Sequence, residues 1–386
     1  MVRRNLLFVS SYTGLGGGES AMLNLLGALD PARYRAHLLT PGDGIYPRQA
    51  RALGVATHTI PYRGASVYFV PALWARFPVV DRIAHLIRAQ GIDLVHSDYH
   101  SLPYALPAAA RAGVPAMWTC MGWWFTPKPW QRAFFRRIGH ITAISHAVKD
   151  GFLGQPPALP PERVEVLWLG VDPDRFHPGL AATLGPALRA ELGIAPGAPV
   201  ASMLARFQAV KGYETFFAAA RLILQQRPDA RFIIGGENMA GTAADRQYRQ
   251  RMLQLVQSDP RLRPAVAFAG YREHAGEVIA ASDVMVCASQ FESFGMVHIE
   301  SMACGCPIVS TNVGGPAETV VDGETGYLIP PGRPELIAER VLRLLDDPAR
   351  RARMGAQGRA RVLAHFTVAG YARRFVAIVD ELLAGR

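Results

Sequence analysis

The feature that most constrains this chain is an alternation. Short apolar runs at 5–10, 36–39, 94–96, 115–119 and 164–167 have the length and character of strands. Between them, residues 19–29, 79–89, 102–112 and 146–153 repeat with helical spacing. The pattern then starts again. Strand-like runs lie at 200–204, 231–234, 266–268, 284–286 and 307–309, with helical patterns at 212–226, 245–257, 294–304 and 335–345. A strand that rejoins its sheet through a helix runs parallel to its neighbour, and parallel sheets are covered by helices on both faces. The expected fold class is therefore α/β, with two Rossmann-like doubly wound domains.

The join falls where turn-formers gather. Residues 171–178 hold Asp172, Pro173, Asp174 and Pro178, and 195–199 add Pro196, Gly197 and Pro199 before the next strand. The expected division is 1–172, 173–366 and a last helix, 367–386. Open α/β sheets bind ligands outside the carboxyl ends of their strands. Chemistry is therefore expected in strand-to-helix loops, facing a central cleft.

Composition narrows the class. Half of the 386 residues are hydrophobic and 19% are charged, so large cores are available and wholesale disorder is excluded. No apolar run reaches the ~18 residues of a membrane span. The run at 6–9 is shorter than the roughly 7–15 residues of an export signal, so it reads as a first strand in a cytoplasmic protein. Cys120 and Cys287 are isolated and Cys304 and Cys306 form C-x-C, which fits reduced core thiols rather than a zinc site. The net charge of +10 is uneven: residues 1–172 carry 17 Lys+Arg against 10 Asp+Glu, and the rest 24 against 21.

Three loops have residues suited to chemistry. Gly14-Leu-Gly-Gly-Gly18 follows the first strand and opens a helix, where missing side chains let backbone N–H groups approach an anion. It does not match G-x-G-x-x-G, and no acidic residue follows at dinucleotide spacing. A tight turn without ligand is the plain alternative. Arg206 and Lys211 follow the first strand of the second half, a cation pair suited to a diphosphate, or else two solvated surface charges. Glu292-Ser-Phe-Gly-Met-Val-His-Ile-Glu300 lies between a strand and a helix. A helix starting near Phe294–Gly295 aims free N–H groups and its positive end at an anion, and a carboxylate can accept from two ribose hydroxyls.

The combination resembles the group 1 (family 4) retaining glycosyltransferases. It rests on Glu292-x7-Glu300, Ala303-Cys-Gly-Cys-Pro-Ile-Val-Ser310, Val313-Gly-Gly-Pro-Ala-Glu318, Asp322-Gly-Glu-Thr-Gly-Tyr-Leu328 and the glycine-rich first loop. That resemblance implies the GT-B architecture, with acceptor in the first domain, nucleotide-sugar in the second, and a last helix returning to the first. It implies Arg206 and Lys211 on the diphosphate, Glu292 by the donor sugar and Glu300 on the ribose. Backbone of Phe294, Gly295, Met296 and Val297 would meet diphosphate and sugar. Gly17 and Gly18 would close over the phosphates, and Gly236, Glu237 and Arg272 would surround the base. No metal or other cofactor is expected, since preorganised cations stabilise a departing nucleoside diphosphate. Met121 stands where the family commonly places a sugar-contacting histidine; His96 and His100, in a neighbouring loop, are candidates to replace it. A donor lacking a 6-hydroxyl is the corresponding expectation.

One segment stands apart. Residues 123–137 interleave Trp123, Trp124, Phe125, Trp130, Phe134 and Phe135 with Lys128, Arg132, Arg136 and Arg137. Rings and cations together fit an anionic membrane surface, single-stranded nucleic acid, or simply a helix with a solvated basic face. The reading is a metal-independent transferase moving a sugar from a nucleotide-sugar, expected to be a UDP-sugar, to a lipid-linked or cell-envelope acceptor, with no nucleic-acid partner. Its rivals are a nucleotide-sugar epimerase or sugar-phosphate synthase of related fold, and a basic nucleic-acid-binding protein.

Overall fold

The computed structural model describes residues 3–64, 78–122, 126–237 and 242–384. Trp123, Trp124 and Phe125 of the basic aromatic segment lie outside the described residues. The chain forms two compact units, Met1–Gly170 with Val368–Arg386, and Val171–Thr367.

Unit 1 holds β1 (Arg4–Val9), β2 (Tyr34–Thr40), β3 (Ala56–Thr59), β4 (Leu94–Ser97), β5 (Ala116–Cys120), β6 (His140–Ala143) and β7 (Val164–Val166). They form one parallel sheet in the order β3-β2-β1-β4-β5-β6-β7. Unit 2 holds β8 (Val200–Leu204), β9 (Arg231–Gly235), β10 (Val266–Gly270), β11 (Val284–Cys287), β12 (Ile308–Thr311) and β13 (Gly326–Ile329). Their order is β10-β9-β8-β11-β12-β13, again parallel throughout. Both sheets are Rossmann-like, as expected. Sandwiching between helices explains why the central strands read as unbroken apolar runs: Leu6, Leu7, Val95, Val284, Met285, Ile308 and Val309 have no exposed surface.

Three strands lie outside the strand-like runs read from the sequence. Strand β3 reads Ala-Thr-His-Thr at the sheet edge, β6 reads His-Ile-Thr-Ala, and β13 begins on Gly326. Their places are fixed by neighbours rather than by their own pattern, as context overrides β-propensity.

The last helix, Val368–Ala384, packs within unit 1. Tyr371, Ala372, Phe375, Ile378 and Val379 are buried at the i, i+1, i+4, i+7, i+8 spacing of one helical face. Phe375 stacks on Phe8 of β1, ring centroids 6.0 Å apart. Asp380 accepts from the Tyr34 hydroxyl at 2.7 Å and from the Arg33 guanidinium at 2.8 Å.

Candidate active site

Each sheet has one topological switch. In unit 2, β8 passes the chain to β9 on one side, while β11 lies on its other side and passes the chain to β12. The loops following β8 and β11 therefore diverge, opening the crevice where doubly wound sheets take ligands. These are the loops that carry Lys211 and Glu292.

Lys211 ends the short 3₁₀ turn Ala209–Lys211, and its loop is tied to the other by Gln290 N–H donating to the Val210 carbonyl at 2.7 Å. Its ammonium donates to Glu292 Oε2 at 2.6 Å, with the two side chains 19% and 17% exposed. Burial pushes the Glu292 carboxyl up, but the Lys211 charge and hydrogen bond, with His298 and the Ser293 N–H, hold it below its ordinary value. Glu292 is therefore a carboxylate at neutral pH. Arg206, in the same loop, is exposed and makes no hydrogen bond or ion pair with a described residue. Lys211 and Glu292 are thus brought together, whereas Arg206 extends to solvent.

The loop after β11 is shaped by the Val313-Gly-Gly turn behind it. Glu292 N–H donates to the Val313 carbonyl at 3.2 Å, and Gly315 N–H donates to the Glu292 carbonyl at 2.9 Å. A Cβ at Gly314 would lie 2.1 Å from the Glu292 carbonyl oxygen, and one at Gly315 only 2.4 Å from the Phe294 Cα. Close approach of backbone to backbone is the reason for glycine there. Phe294 anchors the turn by burying its ring against Phe366, centroids 6.0 Å apart. Gly295 then takes the left-handed conformation at φ +90° and the helix Met296–Ala303 begins, with no side chain capping its N-terminus. Its first N–H groups and its positive end suit an anion.

Glu300 lies one turn further on and is half-buried. Its carboxylate has no hydrogen bond from a described residue. Burial raises it to about 7, offset only by the charge of Arg175. Arg175, from the segment following the unit boundary, was not singled out in the sequence; an isolated exposed arginine gives no pattern to find it by. Glu237 follows β9 and lies within ion-pair distance of Arg249, 2.8 Å, without hydrogen-bond alignment at the Arg249 Nε. Gly236, before it, donates its N–H to the Gly270 carbonyl at 2.8 Å. Arg272 is already engaged, paired with Glu191 and Glu277 and donating to the Ala269 carbonyl at 2.9 Å.

In unit 1 the switch lies where β1 and β4 diverge. Gly16 precedes the helix Gly17–Ala28, which again has no side-chain cap. A Cβ at Gly14, Gly17 or Gly18 would meet no atom within 4 Å, so packing does not require glycine there. Asp98, missed in sequence because a single Asp after a strand is unremarkable, fixes the two loops. It accepts from Ser11 N–H at 2.7 Å, Ser10 and Ser11 hydroxyls at 3.1 and 3.0 Å, and Ser101 N–H at 2.6 Å.

The histidine candidates separate. His100 lies in the loop after β4 and its Nδ1 is 2.7 Å from the Tyr12 hydroxyl. His96 is instead a strand residue, 4% exposed, with Nε2 2.9 Å from Thr119 Oγ1 and its ring against Phe8 and Phe375. Burial lowers it to about 3, which keeps it neutral. The sequence reading had His96 both at the end of the strand run 94–96 and beside His100 as a loop candidate; the structure places it in β4. Met121 directly follows β5 and is half-buried.

Two doubly wound units, each with a glycine-containing loop at its switch point, define a two-sheet, Rossmann-like class of α/β protein. Comparison with known proteins makes the class specific. Residues 186–361 match the family described as glycosyl transferases group 1, and residues 15–175 match glycosyltransferase family 4. The chain belongs to this glycosyltransferase family. It is 32% identical over 253 residues to alpha-maltose-1-phosphate synthase of Mycobacterium tuberculosis, covering 63% of each. It is 32% identical over 289 residues to D-inositol 3-phosphate glycosyltransferase of Streptomyces scabiei, covering 69% of this chain and 63% of that one. The matches thus span about 63% of the length of these relatives. Among solved structures, Anabaena Alr3699/HepE in complex with UDP and glucose matches with TM-score 0.79 at 21% identity, over 97% of this chain and 99% of that one. A glycosyltransferase from Rickettsia africae matches with TM-score 0.85 at 19% identity over all of both chains. These likenesses establish the GT-B fold.

Proposed function

We propose that this chain is a retaining, metal-independent glycosyltransferase that takes a sugar from a nucleotide-sugar, read as a UDP-sugar. The observation that carries this is the Lys211–Glu292 ion pair at the switch point of unit 2, beside an uncapped helix N-terminus. Lys211, the exposed guanidinium of Arg206 and the first N–H groups of Met296–Ala303 supply positive charge where a leaving diphosphate develops negative charge. Glu292 sits by the donor sugar and Glu300 accepts from the ribose hydroxyls. Gly236, Glu237 and Arg272 flank the base, Arg272 through its backbone because its side chain is engaged. Gly17 and Gly18, with no packing reason to be glycine, approach the phosphates. In the transfer the sugar–phosphate bond breaks, the leaving phosphate oxygen takes the acceptor hydroxyl's proton, and the new C–O bond forms on the same face. The UDP bound in the Anabaena complex supports the choice of nucleotide.

The acceptor reading is a lipid-linked or envelope glycan handled by unit 1, which faces an anionic membrane from the cytoplasmic side. The names of the two relatives favour a second acceptor class, a phosphorylated sugar or polyol. Incubation with a panel of UDP-sugars, offering total lipid extract in one arm and sugar or inositol phosphates in the other, decides by product mass. The test is repeated with EDTA. Activity lost to EDTA, isomerised donor without transfer, or nucleic-acid binding with no UDP binding would each replace the proposal.

A further inference from the structure

The histidine inside the Glu292–Glu300 segment has no role in the reading above. His298 is wholly buried, on the first turn of the helix Met296–Ala303. Its ring lies against Gly295 so closely that a Cβ there would sit 2.0 Å from Nδ1. Nε2 is 3.0 Å from Ser310 Oγ in β12, and Nδ1 is 3.3 Å from Thr319 Oγ1 in the turn Pro316–Thr319. Burial pushes the Cys287 thiol at the end of β11 up, and the same ring brings it below its ordinary value. One imidazole therefore joins β12, the segment after the Val313-Gly-Gly turn and the Gly295 turn itself.

The ring is held through both of its nitrogens. The Ser310 hydroxyl donates to the Thr311 carbonyl at 3.1 Å, so its lone pair accepts the Nε2 hydrogen of His298. Nδ1 faces the Thr319 hydroxyl, which also reaches the Pro316 carbonyl at 3.3 Å. Neither hydrogen-bonding group of the ring is idle, and the ring plane is fixed at two ends. Gly295 has no side chain of its own to hold its left-handed conformation; the ring fills the space a Cβ would need.

We propose that His298 is a positioning residue that fixes the Glu292–Gly295 turn, and through it the carboxylate and helix N-terminus of the donor site. The catalytic consequence rests on the functional reading above, whereas the structural one does not. The test uses the full chain as His298→Leu, which keeps bulk without hydrogen bonds, and His298→Gln, whose amide can still donate toward Ser310. Hydrogen exchange at residues 292–297 should quicken at least tenfold in His298→Leu and return toward wild type in His298→Gln. With a UDP-sugar donor, kcat should fall on the order of 100-fold in His298→Leu, the scale of a small misplacement of reacting groups. Donor KM should move less than about threefold, because most of the ligand contacts remain. Ser310→Ala in the His298→Gln background should cancel the rescue.

Unchanged exchange at 292–297 in folded His298→Leu overturns the proposal. So does a lowered melting temperature with unaltered kcat per folded molecule, or equal loss in His298→Gln and His298→Leu. If the wild-type protein turns over no nucleotide-sugar while the exchange pattern appears as described, the strut stands and the donor reading falls.

Discussion

At the scale of single residues, the two glutamates of the E-x7-E pattern have opposite electrostatics, and that difference is testable. Glu292 is held ionised by Lys211, so Lys211→Ala removes a charge stabiliser and leaves a half-buried carboxylate unpaired. Turnover should fall by on the order of 10²–10³; near-normal kcat in Lys211→Ala and Arg206→Ala together would remove both from the site. Glu300 has no such partner and is raised to about 7 by burial. A raised carboxyl favours the protonated folded state, so its stability contribution is present at low pH and fades between about 4.5 and about 7 as pH rises. Ribose hydroxyls donate best to the ionised form, so nucleotide binding should release a proton and strengthen from pH 6 to 8. Calorimetry with UDP in buffers of different ionisation heat measures that release. Glu300→Gln should abolish it and weaken binding by roughly 1–3 kcal/mol, and an identical pH profile in the variant would show that Glu300 does not meet the ligand. Neither behaviour was legible from the spacing alone. The spacing placed both carboxylates near one helix start; the burial that separates their protonation states depends on what other strands bring alongside.

At the scale of elements, legibility followed burial on two faces. Strands such as β1, β8 and β12 are covered by helices on both sides and read plainly, while β3 and β6 are short and polar and needed the assembled sheet to define them. The helix after Glu292 begins at Met296 rather than at Phe294, because Phe294 is drawn into the core and Gly295 takes a conformation that ends the loop. The Val313-Gly-Gly segment was legible as a motif but not as a device. Its function is contact: backbone against backbone behind the Glu292 turn. Gly314→Ala adds a methyl 2.1 Å from the Glu292 carbonyl oxygen at φ +92°. It should cost at least about 1–3 kcal/mol of stability and displace the turn. Gly17→Ala, which meets nothing, should leave the melting temperature within about 1 °C by comparison, since it adds helix propensity without a clash. Thermal melts of the two variants check this. Equal melting temperatures would mean that the turn yields to the extra methyl.

For the whole molecule, the observed division sharpens the charge asymmetry. Unit 1 carries 20 Lys+Arg against 11 Asp+Glu, a net +9, and unit 2 carries 21 against 20, a net +1. The excess is therefore a property of one unit, and part of it is gathered on the helix Pro129–Phe135 and its flanks. Trp130 is 44% exposed there, with Lys128, Arg136 and Arg137 exposed beside it. Arg132 differs from its sequence reading. It is half-buried, with a buried Nε that has no aligned partner, so it does not belong to the outward basic face. No described helix is long and apolar enough to cross a membrane. An attachment through this face of unit 1 would draw on the exposed ring and on cations, which contribute about 1 kcal/mol per basic residue near anionic headgroups. Three exposed cations and one ring give weak, reversible attachment that screening by salt should reverse. Vesicles containing anionic phospholipid should therefore sediment the protein at low salt, neutral vesicles much less, and added salt should release it. Replacing Lys128, Arg136 and Arg137 with Gln should remove most of the anionic preference and leave turnover of a soluble acceptor unchanged, because none of the three lies at either switch point. Trp130→Ala should weaken binding to both vesicle types, since the ring acts on the interface rather than on its charge. Retained anionic binding in the triple-Gln variant would move the contact elsewhere on unit 1, and equal negligible binding of the wild type to both vesicles would leave a soluble phosphorylated acceptor as the better account of the excess charge.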